Sequence, residues 1–453
     1  MLELKQDKKT FLDSLKAAPI SFWIDSSGGP SEYCKNSFYG IDPKYYFYGC
    51  LDKVYFCRNG DGAMGRTGET AYRRDGVNYF DLIEEKLKEE KENKDGIFVG
   101  YIAYDMDFFF AYFDKTENIT NSVIARFAGG ARSVSNKAIF KTLGELCSNM
   151  TDSEYLKKVK LIKEEIRAGN VYQVNLTREY SIEVEKIDEL DLYLKLREAS
   201  PNPYGCFFKT PFVTILSSSP EEFLHVEPAY RRDGVTANRT IRTRPIKGTL
   251  SKDVFDIDPK NQAENIMIVD LERNDLGRIC EYGSVTAKKL LEIESYKYLN
   301  HVVSTVEGKL RNDVRLRDIF KALFPGGSIT GAPKISAMKL IDRIEPTKRG
   351  AYTGSFGYIK TNGEMNFNIL IRTIFIQPNT SLRGGSESRR SNLLTQSGSR
   401  LLRQDFVLPR NDTFRVTFNV GGGIVADSDP QSELEEIKLK ARGILQTIGI
   451  KSL

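Results

Sequence analysis

The chain has little of what many catalytic centres are made from. It holds two histidines, His225 and His301, in 453 residues. A centre built from several histidines is therefore all but excluded. A serine–histidine or cysteine–histidine pair would have to use one of these two. The six cysteines (Cys34, Cys50, Cys57, Cys147, Cys206, Cys280) are scattered and form no C-x-x-C pair. That pattern reads as free thiols in a reducing cytoplasm rather than as a disulfide framework. Charge of one sign is also scarce, since 66 Lys and Arg against 61 Asp and Glu leave a formal +5. This argues against a dedicated nucleic-acid binder, which needs a clustered basic face, and it allows a small anionic substrate. Long hydrophobic runs are missing as well. The greasiest stretch, Phe108 to Phe113, is too short for a membrane span and reads as a core strand. The N-terminal MLELKQDKKTFLDSLK has no apolar export region.

What remains is an ordinary globular composition, 40% hydrophobic and 28% charged. Length alone suggests two or three domains. The first 150 residues are rich in Tyr, Phe and Gly with short alternating runs, and Ile97 to Tyr104 reads as a buried strand. Thr151 and Glu154 are spaced as a capping box, and Gly169 supplies a stop, which predicts a helix over Ser153–Ala168. A strand over Val171–Arg178, a helix over Glu189–Ala199 and a hairpin over Cys206–Ser217 follow. The heptapeptide AYRRDGV occurs at Ala71–Val77 and again at Ala229–Val235, with no longer repeat around it. Asn379 to Arg410 is rich in Ser, Arg and Gly and reads as a long flexible insertion in a hairpin, 379–410.

Chemistry concentrates in the second half. Asp427-Ser-Asp429-Pro430 is a strong helix start. Glu433, Glu436 and Lys440 then fall on one helical face. Paired carboxylates suit a hard cation such as Mg²⁺, and the lysine suits an anionic substrate beside it. A solvated face with a Glu436–Lys440 pair is the plainer alternative, and spacing alone favours it. Just upstream, Gly421, Gly422 and Gly423 are expected after a strand, where backbone N–H groups can approach an anion. FPGGSITGAPK, Phe324 to Lys334, lacks the G-K-[ST] of a phosphate loop, and its spacing leaves structural turn and ligand cradle equally open. The helix that follows Pro333 is expected to bury Ile335, Met338 and Ile341. AENIMIVDLERNDLGRIC, Ala263 to Cys280, reads as a helix bearing Glu264, Asp270, Glu272 and Asp275, with Asp270–Arg273 as a structural pair. Lys247, in RPIKGT, becomes a nucleophile if desolvated. Glu221, at the end of SSSPEEF, becomes a general acid if its proton affinity is raised.

Taken in order, AGNVYQVNLTR, SSSPEEF, RPIKGT, AENIMIVDLERNDLGR, HVVSTVEGKL, FPGGSITGAPK, ILIRTI and GGGIVADSDPQSELEEIKLKAR resemble the chorismate-utilising enzymes, most closely the aminodeoxychorismate synthase component I branch. The resemblance runs from about Ser153 to Gln446. It implies an α+β fold, two antiparallel β-sheets packed across each other with flanking helices. Residues 1–150 would be a sheet-rich part of the same body as a catalytic part over 151–453. It implies amination of chorismate to 4-amino-4-deoxychorismate with ammonia from a glutamine amidotransferase subunit, component II, without nucleic acid or membrane. By the same resemblance Lys247 is the nucleophile and Glu221 the acid. Glu264, Glu433 and Glu436 form the Mg²⁺ cluster. Thr249, His301, Tyr352, Arg372, Gly421, Gly422, Gly423 and Lys440 bind the substrate. Anthranilate synthases resemble this chain but carry alanine where Lys247 stands, and isochorismate-forming relatives place a lysine where Gln173 stands. Anthranilate synthesis, or an inactive chorismate-fold scaffold, are the alternatives.

Overall fold

The computed structural model describes residues 8–26, 37–50, 53–58, 72–75, 78–119, 140–228, 239–296, 299–379 and 413–450. Among these, two antiparallel sheets of eleven and twelve strands carry the architecture. The first runs through Gln173–Glu185, Thr413–Ile424, Thr373–Pro378, Thr214–Ser219, Tyr204–Lys209, Ser21–Asp25 and Ser37–Ile41. The second runs through Ile246–Ser251, Leu299–Lys309, Thr240–Arg244, Glu222–Val226, Met365–Asn368, Ser355–Lys360, Ile97–Ile102, Phe108–Phe113 and Tyr45–Cys50. The first 150 residues and the remainder share both sheets: Ser21–Asp25 pairs with Tyr204–Lys209, and Ile97–Ile102 pairs with Ser355–Lys360.

Alternation along the strands explains the layering. In Phe108–Phe113 the residues Phe108, Phe110 and Tyr112 face one apolar cluster, while Phe109, Ala111 and Phe113 face another. A strand covered on both faces needs no polar alternation, which is why its sequence is one apolar run. The cluster holding Phe109 also takes Phe22, Phe208, Ile215 and Phe375 from the other sheet, so it is the layer between the sheets. Outside it, the first sheet is covered by the helices Asp152–Arg167, Glu189–Ala199, Lys334–Ile344 and Pro430–Thr447. The second is covered by Tyr79–Glu89, Pro259–Gly277 and Leu316–Leu323.

Local signals place most of these elements. The Thr151–Glu154 capping box closes in both directions, and Asp429 caps a helix that opens on Pro430. Two expectations are corrected. Gly421–Gly423 lie inside the strand Thr413–Ile424, opposite Thr177, Leu176 and Asn175, rather than after it. In Lys334–Ile344 the inward residues are Ala337, Leu340, Ile341 and Ile344, while Ile335 is 65% exposed. Residues 380–412, which hold most of the expected insertion, and the second AYRRDGV copy lie outside the described residues. The strands flanking 380–412 do pair as neighbours, Pro378 opposite Phe414. In the first AYRRDGV copy, Tyr72–Asp75 forms an edge strand against Lys53–Arg58.

Candidate active site

Lys247 and Glu221 meet where the second sheet faces the turn Gly327–Ile329. The Lys247 Nζ donates to the Ser328 carbonyl at 3.2 Å. Burial lowers its proton affinity against the opposing pull of Glu264 and Glu221, with Lys440 and Glu436 further contributors. Glu221 is buried, 4% exposed, between Ser219 and the strand Glu222–Val226. Burial pushes its carboxyl up to about 7, although Ser328, Lys247, the Ile246 backbone and Arg372 pull the other way. A carboxyl that burial raises toward neutrality, near a lysine whose hold on its proton burial weakens, is the combination an acid and a nucleophile need.

His301 and Thr249 are register partners on neighbouring strands. His301 is buried edge-on to Tyr296 at 5.0 Å, and burial, aided by the Arg372 charge, lowers its pKa to about 3. It is therefore a neutral ring at physiological pH. Arg372, held at φ 51°, lies near Tyr296 and Glu221, and burial lowers it to about 10. Lys247, Glu221, His301 and Arg372 thus gather around one site. Tyr352 sits one layer behind. It is buried between the sheets beside the Arg349–Glu345 pair, and Arg349 reaches the carbonyls of Ile329 and Asn175 at 2.8 and 3.0 Å.

The acidic residues act on Lys247 too, Glu264 and Glu436 directly and Glu433 through Glu264. Glu433 is buried and accepts from the Ser428 hydroxyl at 2.6 Å. Lys260 stands 3.7 Å from Glu433 and 4.0 Å from Glu264. Glu436 pairs with Lys440 at 2.6 Å, and Lys440 also donates to the Gly421 carbonyl at 3.1 Å. The plain helical pair is therefore present, but the face carrying it is not simply solvated, because Glu433 is enclosed. A Cβ added at Gly422 would lie 3.4 Å from a Glu433 oxygen and 3.9 Å from a Glu436 oxygen. Both carboxylates thus turn toward one point on the glycine strand. Among the described residues, no three His, Cys, Asp or Glu side chains already converge as a metal centre.

Glycine is required on that strand by close approach. A Cβ at Gly421 would meet the Leu176 carbonyl at 2.8 Å, and one at Gly423 would meet Gln173 Nε2 at 2.5 Å. Gln173, fully buried, has neither amide atom hydrogen-bonded. Ser328, Lys260, Gln173 and Arg349 are the neighbours that motif reading did not assign. The YQVNL and GGSI strings carry a signal for Gln173 and Ser328. No local pattern marks Arg349.

Solved structures show the fold. The chain superposes on anthranilate synthase component I from Streptococcus pneumoniae with a TM-score of 0.62 at 24% identity, covering 95% of this chain and 93% of that one. It superposes on MenF, the menaquinone-specific isochorismate synthase from Escherichia coli, with a TM-score of 0.63 at 17% identity, covering 99% and 92%. The fold is that of the chorismate-binding enzymes, as the sequence implied. The family model described as chorismate binding enzyme matches residues 114–387 and 406–446, and the chain belongs to that family. Similar curated proteins include aminodeoxychorismate synthase component 1 from Bacillus subtilis, 38% identical over 52% of this chain and 50% of that protein. Anthranilate synthase component 1 from Synechocystis is 36% identical over 66% of this chain and 54% of that protein. The chain thus spans about half the length of these relatives. Among the described residues no helix is long and apolar enough to cross a membrane.

Proposed function

We propose that this chain aminates chorismate to 4-amino-4-deoxychorismate, using ammonia delivered by a cytoplasmic glutamine amidotransferase partner. The observation that carries the reading is the placement of Lys247 and Glu221 around Ser328, a part-buried amine of reduced proton affinity within electrostatic reach of a buried acid poised near neutrality. The neutral Lys247 amine adds at C2 of the ring. The C4–O bond breaks, and the Glu221 proton leaves with that oxygen as water. Ammonia then bonds to C4, the C2–N bond breaks, and Lys247 departs as a neutral amine while the new ammonium keeps the ammonia protons. Each turnover therefore leaves Glu221 ionised and one proton short.

Arg372 and Lys440, with the backbone N–H groups of Gly421–Gly423, bind the substrate's carboxylates, Arg372 through its planar fork. Neutral His301 and Thr249 line the ring, with Tyr352 behind. The donor set at Glu264, Glu433 and Glu436 is all carboxylate oxygen, with Glu433 and Glu436 turned toward Gly422 and Glu264 within their electrostatic reach, and such a set would suit a hard cation such as Mg²⁺. When bound there, Mg²⁺ neutralises a substrate carboxylate.

Intact-protein mass spectrometry after incubation with chorismate but no ammonia tests the covalent step. The wild type gains the mass of chorismate less one water, on Lys247. A chain that turns chorismate over without ever carrying that adduct contradicts the reading. Anthranilate synthesis is the second reading, favoured by the similar identity of the Synechocystis relative. It predicts an aromatic product and a lysine that is dispensable.

A further inference from the structure

Glu272 has no place in the mechanism above, yet it is built into the wall behind Glu221. It projects from the inward face of the helix Pro259–Gly277 and is 8% exposed. Its side chain lies beside Thr243 and against the turn Gly327–Ile329, its Cγ 3.9 Å from where a Gly327 Cβ would stand. The next residue of that turn, Ser328, faces Glu221. Four buried oxygens in this region close no hydrogen bond of good geometry: Glu221 Oε1, Ser328 Oγ, Thr243 Oγ1 and Glu272 Oε2. Buried polar atoms left unpartnered are costly, and a set of them in one place is what buried water bridges.

The charged groups around the two acids are few. Glu272 faces Glu221, Asp275 and Lys334, and Lys334 is already tied to Asp275 and to the Leu323 carbonyl at 2.9 Å. Glu221 faces Lys247 and Arg372. Among the described residues Glu272 therefore has no cation of its own beyond the one Asp275 already holds.

We propose that Glu272 is the proton reservoir for Glu221, returning a proton to it after each turnover through the Ser328 and Thr243 hydroxyls and bridging water. This rests on the reading of Glu221 as the general acid. When Glu221 has given its proton to the departing C4 oxygen, the Glu272 O–H bond breaks and a proton shifts along the hydroxyls. The last O–H bond forms on Glu221, and Glu272 regains its proton from solvent. No electron changes hands. Burial raises Glu272 to about 8 and Glu221 to about 7, so between those values Glu221 gives up its proton first while Glu272 still holds the one that recharges it. Glu272 acts through Glu221 and does not touch the substrate.

The test is the pH profile of kcat for wild type, Glu272→Gln, Glu272→Asp and Thr243→Val, at a fixed concentration of free ammonia, beside Glu221→Gln. Glu272→Gln is expected to move the alkaline limb down by about one pH unit, with chorismate KM unchanged, because Glu221 then titrates alone. Glu272→Asp restores part of the limb, and Thr243→Val slows turnover on the alkaline side. Should Glu272→Gln fail to fold, the aspartate and valine variants read the same limb. A wild-type limb in Glu272→Gln, or a loss of kcat equal at every pH, overturns the relay. If Glu221→Gln is inactive while Glu272→Gln keeps the wild-type limb, only the relay fails. If Glu221→Gln stays active, the general-acid reading fails with it.

Discussion

Replacing Glu221 by Gln is expected to inactivate the enzyme and, at alkaline pH, to stabilise it. In the unfolded chain the carboxyl titrates at its ordinary 4.5, and in the folded chain burial holds it at about 7. Between those values the folded state binds more protons than the unfolded state. Wild-type stability therefore falls as pH rises through that window. Below 4.5 the penalty is absent; above about 7 it is complete, at about 3 kcal/mol from 1.36 kcal/mol per pKa unit. Glutamine keeps the shape and never ionises. Groups common to both proteins largely cancel in the difference. Equilibrium urea unfolding of both proteins at pH 5 and pH 8 should then show the variant gaining about 2–3 kcal/mol on wild type between the two. Over the same range kcat should fall by about 10²–10⁴-fold, the usual worth of a positioned general acid. A stability difference that does not change with pH would refute the reasoning, because it would mean that Glu221 ionises in the fold at no cost.

Further outcomes follow from other contacts. Arg349 grips Glu345 through two hydrogen bonds of 2.8 and 2.9 Å, with both side chains buried. Arg349→Met strands the carboxylate and is expected to cost about 3–5 kcal/mol in urea unfolding. Gly421→Ala forces a Cβ to 2.8 Å from the Leu176 carbonyl, and should cost about 1–3 kcal/mol. The Glu436–Lys440 pair is open to solvent, so Lys440→Met is expected to change stability by less than about 1 kcal/mol while raising chorismate KM. Glu436→Gln should raise the Mg²⁺ concentration needed for half-maximal activity by at least about tenfold, and an unchanged requirement would remove it from the metal cluster.

How much was legible depended on whether the cause was local. The capping box at Thr151, the helix Glu189–Ala199 and the strand Phe108–Phe113 are written in adjacent residues, and each lies within a residue of its expected bounds. Gly421–Gly423 were misplaced because glycine is a poor strand former. What keeps them in the strand is pairing with the distant Asn175–Thr177, which no local window contains. Ile335 was expected inside because it is apolar, yet the helix turns Ala337 and Leu340 inward instead. The ordered motifs carried Lys247 and Glu221, since their residue types and flanking turns are informative. Glu272 was one of four acids on an apolar helix, some of which had to be paired or ligating, and nothing local singled it out, while Arg349 looks like ordinary charged surface in the sequence. Their roles come from burial, which depends on how the sheets and the helix Pro259–Gly277 close around them.

The central claim is that Lys247 directs the chemistry toward amination at C4. The most direct measurement is product analysis by mass spectrometry of purified protein given chorismate, Mg²⁺ and ammonium at mildly alkaline pH, beside Lys247→Ala. The account predicts 4-amino-4-deoxychorismate from the wild type, with that product lost or diverted to anthranilate in the variant. Anthranilate or isochorismate from the wild type, or 4-amino-4-deoxychorismate made equally well without the lysine, would contradict it.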